Sequence, residues 1–512
     1  MAVSNNKRIA KNTLILTFQQ VISLIVALYT SRVILQSLGV EDFGIYNVIA
    51  GFVTMFAFLN ISMNNAVQRF YNVEYAVNGI KGAKMVFNNS LFIQFVLALI
   101  ILLLLETIGL WYVNNELIIP EQSRYSAVWV YQFSSISLLF VVMQIPFSAA
   151  IAAHEKMVCF ASVSILDSFL KLLVAIVINH ISGDRLFVYG FLILLISIFD
   201  FVIYFIYSIR HFKEIAFDKI CNWIMLKQML AFSGWNCFGS FAGVTKEQGV
   251  NVILNLFFGP LVNAARGIAY QVAGAMKSFV STVMISGRPQ LMQSFAQNNN
   301  IRTIELMYNL SKASFLILFF FSLPVMCNIE CILRLWLGVD MPNNTGIFVN
   351  LVIVMSLIET FSSPISFVVH ASGRMTKYQL INSSIILIIL PVSYVILKLG
   401  ANAVSVFWMG VIFQFLCQIS SLLILKEIIT YSILDYMKKV VVPLLIVVVI
   451  SSFIVLFASY LLKSEFVRLI ATTIVSIFCI MLTSYLFVLN KDGRTAVRAI
   501  FNNAIRQCKD LV

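Results

Sequence analysis

Residues 257–271 read FFGPLVNAARGIAYQ, a break between two apolar runs. Residues 229–256 upstream are mostly apolar, and residues 268–285 downstream are apolar and rich in small side chains. Gly259-Pro260 cannot continue a helix, because proline lacks an amide donor and its ring collides with the preceding turn. The chain must therefore turn here. Arg266 follows within two turns, in surroundings too apolar for an ordinary surface residue. A related pattern lies 220 residues earlier, where Leu38-Gly39-Val40 ends one apolar run and Gly44-Ile45-Tyr46-Asn47 opens the next. That earlier turn has Arg32 just inside it. One helical-hairpin plan is used twice.

The surrounding composition says what solvent these hairpins meet. Hydrophobic residues make up 60% of the 512 and charged residues 11%, with a mean hydropathy of +0.94. Soluble domains carry about 45–50% apolar and about 25% charged residues, so this is a polytopic helical membrane protein. Residues 1–11 are polar and the first apolar run is too long for a cleaved leader, so that run reads as the first membrane helix. The net charge of +13 would suggest nucleic acid in a soluble protein; here it reports loops held on the cytoplasmic side. The eight cysteines mostly lie in apolar runs without a CxxC pair, and the four histidines are scattered, so neither a metal site nor a disulfide framework is expected.

A membrane span needs about 20 mainly apolar residues. Fourteen candidates follow, at 12–37, 43–68, 86–113, 125–150, 157–180, 186–208, 229–257, 262–286, 304–327, 346–370, 378–398, 402–425, 440–461 and 467–489. The second, seventh and eighth are interrupted by polar residues, which points to a face lining protein or water. With fourteen spans, the loops on the side of the termini hold 23 Lys/Arg and the opposite loops six. The positive-inside rule then places both termini in the cytoplasm. The longest inner linker, 209–228, alternates charges with bulky apolar groups, as an interfacial amphipathic helix would.

Two inner helix ends also repeat. Residues 146–157 read PFSAAIAAHEKM and residues 364–375 read PISFVVHASGRM, sharing Pro, Ser, Ala, a basic residue and Met at an offset of 218. Six helices separate the copies, so the halves run in the same direction, a parallel repeat typical of transporters. The expected domains are a six-helix bundle at 1–215, a second at 216–430, and two extra spans with a basic cytoplasmic tail at 431–512.

Four stretches carry a resemblance: SRVILQSLGVEDFGIYNVIAGF (31–52), QGVNVILNLFFGPLVNAARGIAYQVAGAMKSF (248–279), RPQLMQSFA (288–296) and HASGRMTKYQ (370–379). They resemble the polysaccharide-biosynthesis transporters, the Wzx-type lipid-linked oligosaccharide flippases of the MATE-like exporter superfamily. NAARGIAYQ is the most specific part. The resemblance implies an all-α fold of two six-helix bundles around a central cavity, with two further helices. It also implies transfer of an undecaprenyl-pyrophosphate-linked repeat unit from the inner to the outer leaflet of a bacterial cytoplasmic membrane, for O-antigen, capsule or another surface polysaccharide. Membrane lipids are expected partners, and a polysaccharide polymerase and chain-length machinery are candidate ones. Gln293 stands where relatives often have lysine and His370 where they often have glutamine, both near the inner mouth.

Ionisable residues inside spans are the strongest functional signal, since a charge at mid-bilayer costs about 2.5–3.5 kcal/mol on insertion scales. Lys246 lies near the middle of the seventh span; the candidate roles are a cavity cation facing a pyrophosphate or a salt bridge to another helix. Arg32 and Arg266 lie near the outer ends of their spans, where snorkelling competes with a cavity role. Arginine suits phosphate because its planar fork donates two parallel hydrogen bonds. Lys277, deeper in the eighth span, completes the basic set. Asp167 and Lys171 are spaced to pair on one helix. Glu359 has no cation within a turn, so it is a candidate for proton or sodium coupling. Glu106, Asp200 and Lys312 are expected near helix ends, in headgroup water. No cofactor is implied.

No GxxxxGK, HExxH or GxSxG motif is present, so no enzyme is expected. An ATP-driven flippase would need a soluble nucleotide-binding domain, and no segment is long or polar enough. Two alternatives remain. A cation-coupled MATE-type multidrug exporter would favour acidic cavity residues, and a membrane glycan polymerase or ligase would carry a large external loop.

Overall fold

The computed structural model describes residues 2–154, 156–216, 222–338, 342, 344–372, 374–462, 464–489 and 494. Among them every regular element is a helix, without strands. The first half holds α1 (Ala2–Thr54), α2 (Phe58–Leu104), α3 (Leu110–Asn115), α4 (Arg124–Met143), α5 (Ile145–Ala153), α6 (Met157–Asn179) and α7 (Arg185–His211). The second holds α8 (Trp223–Phe258), α9 (Pro260–Ala296), α10 (Asn300–Cys327), α11 (Ile329–Leu337), α12 (Thr345–Ser372), α13 (Met375–Lys398) and α14 (Ala403–Ile428). The chain then continues through α15 (Ile433–Tyr436), α16 (Val442–Leu461) and α17 (Glu465–Thr483).

Helix ends follow the local sequence. Asn222, Asp184 and Asn299 cap α8, α7 and α10 by accepting backbone amides of the first turn. Gly259 ends α8 at φ 74, ψ −173, and Pro260 opens α9. Gly39, at φ 82, ψ 169, kinks α1 in nearly the same conformation. The next break repeats too: Gly79 (φ 59) inside α2 and Asn298 (φ 55) between α9 and α10. The starts of α6 and α13, at Met157 and Met375, lie 218 residues apart, as do those of α7 and α14, at Arg185 and Ala403. The repeat seen in two motifs therefore extends to helix boundaries and backbone angles.

Eleven stretches among the described residues are long and apolar enough to cross a membrane. One of them, Phe18–Thr54, holds the first crossing and the start of the second. The second crossing continues from the Gly39 kink into α2, and the seventh and eighth are α8 and α9, outside the eleven. These are the three crossings that the polar interruptions single out. The linker between the halves departs from expectation. Its ends belong to α7 and α8, residues 212–216 are not helical, and 217–221 lie outside the described residues. The linker turns inward instead because Glu214 is buried, accepting from Tyr71 Oη at 3.1 Å and lying 2.5 Å from His154 Nε2.

The chain packs as two compact units. The first comprises Met1–Gln271, Trp336–Phe348 and Gln379–Phe413. Within it α1 packs on α6, α4 on α7, and α2 on α5 and α8. Polar contacts join α1 to α6, with Gln19 Nε2 donating to Ser164 Oγ at 2.8 Å and Ser168 Oγ to Ser23 Oγ at 3.0 Å. The second unit comprises Val272–Leu335, Val349–Tyr378 and Gln414–Val512. There α16 and α17 pair and lean on α10, where Asn328 Nδ2 donates to Thr472 Oγ1 at 2.8 Å. One side of α16 exposes Leu445, Val449 and Phe453, the last 71% accessible, while Leu444, Val447, Ser451 and Val455 are buried. A stripe of large apolar side chains left outward marks a surface solvated by lipid tails. This is a multi-pass membrane protein.

Candidate functional site

The FFGPLVNAARG turn is stapled by asparagines. Asn263 Nδ2, on α9, donates to the Asn251 carbonyl at 2.6 Å and to its Oδ1 at 2.7 Å. Asn255 Nδ2 donates to Asn263 Oδ1 at 3.1 Å, and Asn251 Nδ2 donates back to the Asn47 carbonyl on α1 at 3.1 Å. Asn255 Oδ1 accepts the Ile118 amide at 3.1 Å. All three asparagines are buried, so in a membrane setting these bonds fix the hairpin. The first hairpin meets the second here: a methyl group on Gly44 would collide with the carbonyl of Pro260. Sequence reasoning missed this network; its signal is the four-residue spacing of Asn251 and Asn255, continued by Asn263.

Arg266 is 4% exposed and therefore does not open broadly to water. Its guanidinium donates to the Glu247 carbonyl on α8 and stacks over the Tyr270 ring at 4.2 Å from the centroid. Its Nε has no partner among the described residues. Lys246, half-buried, is next to the carbonyl that Arg266 holds. Arg32, half-buried, lies on the first part of α1. Gln271 Nε2 donates to Ser31 Oγ beside it, so α9 runs against α1 at this level. Nearby, Trp336 Nε1 donates to the Leu28 carbonyl at 2.8 Å and Gln36 Nε2 to the Leu337 carbonyl at 3.0 Å, docking the end of α11 on α1.

Lys277 and Glu359 come together in the second unit. Lys277 Nζ lies 2.5 Å from Glu359 Oε2, with the side chains 44% and 49% accessible. The pair opens into a cavity of about 280 Å³ that is also lined by Ser281, Ser356, Thr360 and Ser363. The carboxylate that looked alone on its own helix is thus neutralised from α9. Asp167 and Lys171 pair at 2.8 Å as their spacing requires. Asp200 departs from expectation: it sits near the middle of α7, facing Asp167, with Oδ1 buried and unpartnered among the described residues. Glu106 accepts from Gln132 Nε2 at 3.1 Å rather than meeting only headgroup water. Outside the crossings, burial and the Glu214 carboxylate push the Tyr71 phenol far above its ordinary range, keeping it a donor. His370 is exposed at the end of α12, and the Gln293 side chain lies outside the described residues.

Among the described residues the arrangement offers fixed polar turns, half-buried cations and an accessible ion pair. No family model matches the chain, and no curated protein matches it. Solved structures do. The chain is similar to the lipid II flippase MurJ in an inward closed conformation, at a TM-score of 0.66 and 15% identity, covering 93% of this chain and 98% of that one. It is similar to an inward-facing MATE-family multidrug resistance transporter of the MOP superfamily, at 0.64 and 12%, covering 80% and 98%. A MOP superfamily transporter from Pyrococcus furiosus, whose binding pocket is described as of reversed polarity, matches at 0.62 and 13%, covering 81% and 95%. At such identities the likeness is one of architecture. The chain carries the fold shared by these flippases and exporters: about fourteen membrane helices, twelve of them in a parallel repeat of six.

Proposed function

We propose that the protein is a flippase that moves an undecaprenyl-pyrophosphate-linked oligosaccharide repeat unit from the inner to the outer leaflet, for O-antigen, capsule or another surface polysaccharide. It would act by alternating access in a bacterial cytoplasmic membrane with both termini inside. The observation that carries this reading is the basic bias of the first, seventh and eighth crossings: Arg32 lies on the first part of α1, Lys246 on α8, and Arg266 and Lys277 on α9. An anionic headgroup crossing an apolar slab loses hydration, and fixed cations in a wet path offset that loss. The likeness to a lipid II flippase over 93% of the chain supports a lipid-linked glycan as cargo.

The reading divides the chain into bundles at 1–215 and 216–430, followed by two extra helices and a basic tail at 431–512. Lys246 and Arg32 contact the pyrophosphate. Arg266 braces the hairpin that presents Lys246. Lys277 exchanges Glu359 for the cargo phosphate, so the released carboxylate can take up a proton or sodium ion; Asp167 and Lys171 with Asp200 form a second charge group suited to coupling. Polymerase and chain-length machinery are expected to receive the product.

The fold likeness favours a cation-coupled multidrug exporter as the second reading, since MATE transporters match 80–82% of this chain. The two separate by phenotype. In a strain lacking the gene, Lys246→Ala and Arg32→Ala are expected to fail to restore surface glycan while reaching the membrane at wild-type amounts. Wild-type glycan from both would remove the cation-path reading, and a change only in resistance to organic cations would support the exporter.

A further inference from the structure

A second polar cavity lies outside the cation-bearing hairpins, where α10 meets the C-terminal helices. It measures about 690 Å³, within the roughly 300–1,000 Å³ range of small-ligand sites. Ile301, Ile304, Pro443, Phe487 and Val488 line its apolar walls. Its polar lining is ordered by depth. On α10, Glu305 precedes Lys312 by seven residues, about 10 Å along a helix. On the rising segment of α15 and the π-turn after it, Asp435 precedes Lys439 by four residues. Both segments enter the membrane from the same loop level, so the two carboxylates stand at its edge and the two lysines below them.

None of these four charges has an ion pair or side-chain hydrogen-bond partner among the described residues. Lys312 is half-buried on a membrane helix and faces Lys439, a like charge. Two ammonium groups held together at this depth leave room for an anion between them. Two carboxylates above call for a cation. The buried Tyr308 lies beside Asp435, and Tyr431 is locked by its hydroxyl bond to the Leu422 carbonyl at 2.6 Å, which gives the cavity a rigid aromatic floor.

We infer that this cavity binds the headgroup of a zwitterionic aminophospholipid, with the phosphate between Lys312 and Lys439 and the ammonium between Glu305 and Asp435. The order of charges matches the order in such a head, where the phosphate lies deeper than the amine. A primary ammonium carries three N–H donors for the carboxylates, whereas a quaternary choline carries none. The site belongs to the C-terminal helices and holds a structural lipid, independent of the cargo.

The test uses the full-length protein in detergent, titrated with phosphatidylethanolamine, phosphatidylglycerol or phosphatidylcholine of identical chains and read by native mass spectrometry. Wild type is expected to retain phosphatidylethanolamine at least five-fold over phosphatidylcholine. Lys312→Gln with Lys439→Gln should lose that retention, and the Lys→Arg pair should keep it. Glu305→Gln with Asp435→Asn should reduce phosphatidylethanolamine to the phosphatidylcholine level while phosphatidylglycerol is kept. Equal retention of the amine and choline lipids, or a Lys→Gln pair that behaves as wild type, would overturn the inference. So would displacement of the lipid by millimolar inorganic phosphate, which would make this a free-anion site.

Discussion

A guanidinium that is 4% exposed and has no carboxylate partner among the described residues must turn to the backbone and to rings; Arg266 does, while its Nε stays without a partner there. Hydrogen bonds to charged groups contribute about 1.5–3 kcal/mol, and a cation over an aromatic face adds up to about 2 kcal/mol when desolvated. Arg266→Ala is therefore expected to lower the melting temperature and the yield of folded protein, read by fluorescence-detected gel filtration, before any transport defect is measured. Lys277 behaves oppositely. Its pair with Glu359 is nearly half accessible, and exposed pairs are worth about 0–1 kcal/mol. Lys277→Ala should leave thermal stability within about 1 kcal/mol of wild type while transport falls, and a stability loss as large as that of Arg266→Ala would make the pair structural. The sequence marked both residues as unusual but could not separate these roles. The carbonyl that Arg266 holds and the carboxylate that pairs with Lys277 lie 19 and 82 positions away, and only packing brings them near.

Helices and turns were far more legible, because their causes are local. Gly-Pro fixes the reversal between α8 and α9, and Gly39 repeats its backbone angles. Positive φ with ψ near 180° is a region open essentially to glycine alone, and forcing another residue there costs about 1–3 kcal/mol. A methyl group added at Gly39 would have no atom within 4 Å, and one at Gly259 would meet only Ile118 Cγ2 at 3.7 Å, so strain is the whole effect at both. Gly39→Ala and Gly259→Ala should each lower thermal stability by a similar amount; a neutral Gly259→Ala would show that the turn can relax. Gly44→Ala should cost more, since its methyl would strike the Pro260 carbonyl in the packed hairpins. What the sequence did not disclose at this scale was the inner linker. Its alternating charges suggested a surface helix, but Glu214 is drawn inward by Tyr71 and His154 from two other elements.

Across the whole molecule, a period of 218–220 residues made the repeat readable, and the positions of α6, α7, α13 and α14 follow it. The count of fourteen crossings was readable for a related reason. The three that polar residues interrupt hold the asparagine network together with Lys246, Arg266 and Lys277, so polar sequence within a crossing is where protein contacts lie. The identity of the cargo is not written in these periodicities, because a phosphate and a sugar are recognised by side chains converging from separate helices. The account rests on an anionic lipid head passing these cations. Its most direct measurement is the sidedness of the lipid-linked glycan, read with an impermeant glycosidase on intact, outer-membrane-permeabilised cells. With the wild-type gene, newly made lipid-linked glycan should become cleavable from outside; with Lys246→Ala at equal protein level it should accumulate protected on the cytoplasmic face. Equal external cleavage in the mutant and in a strain lacking the gene, both matching wild type, would contradict the account.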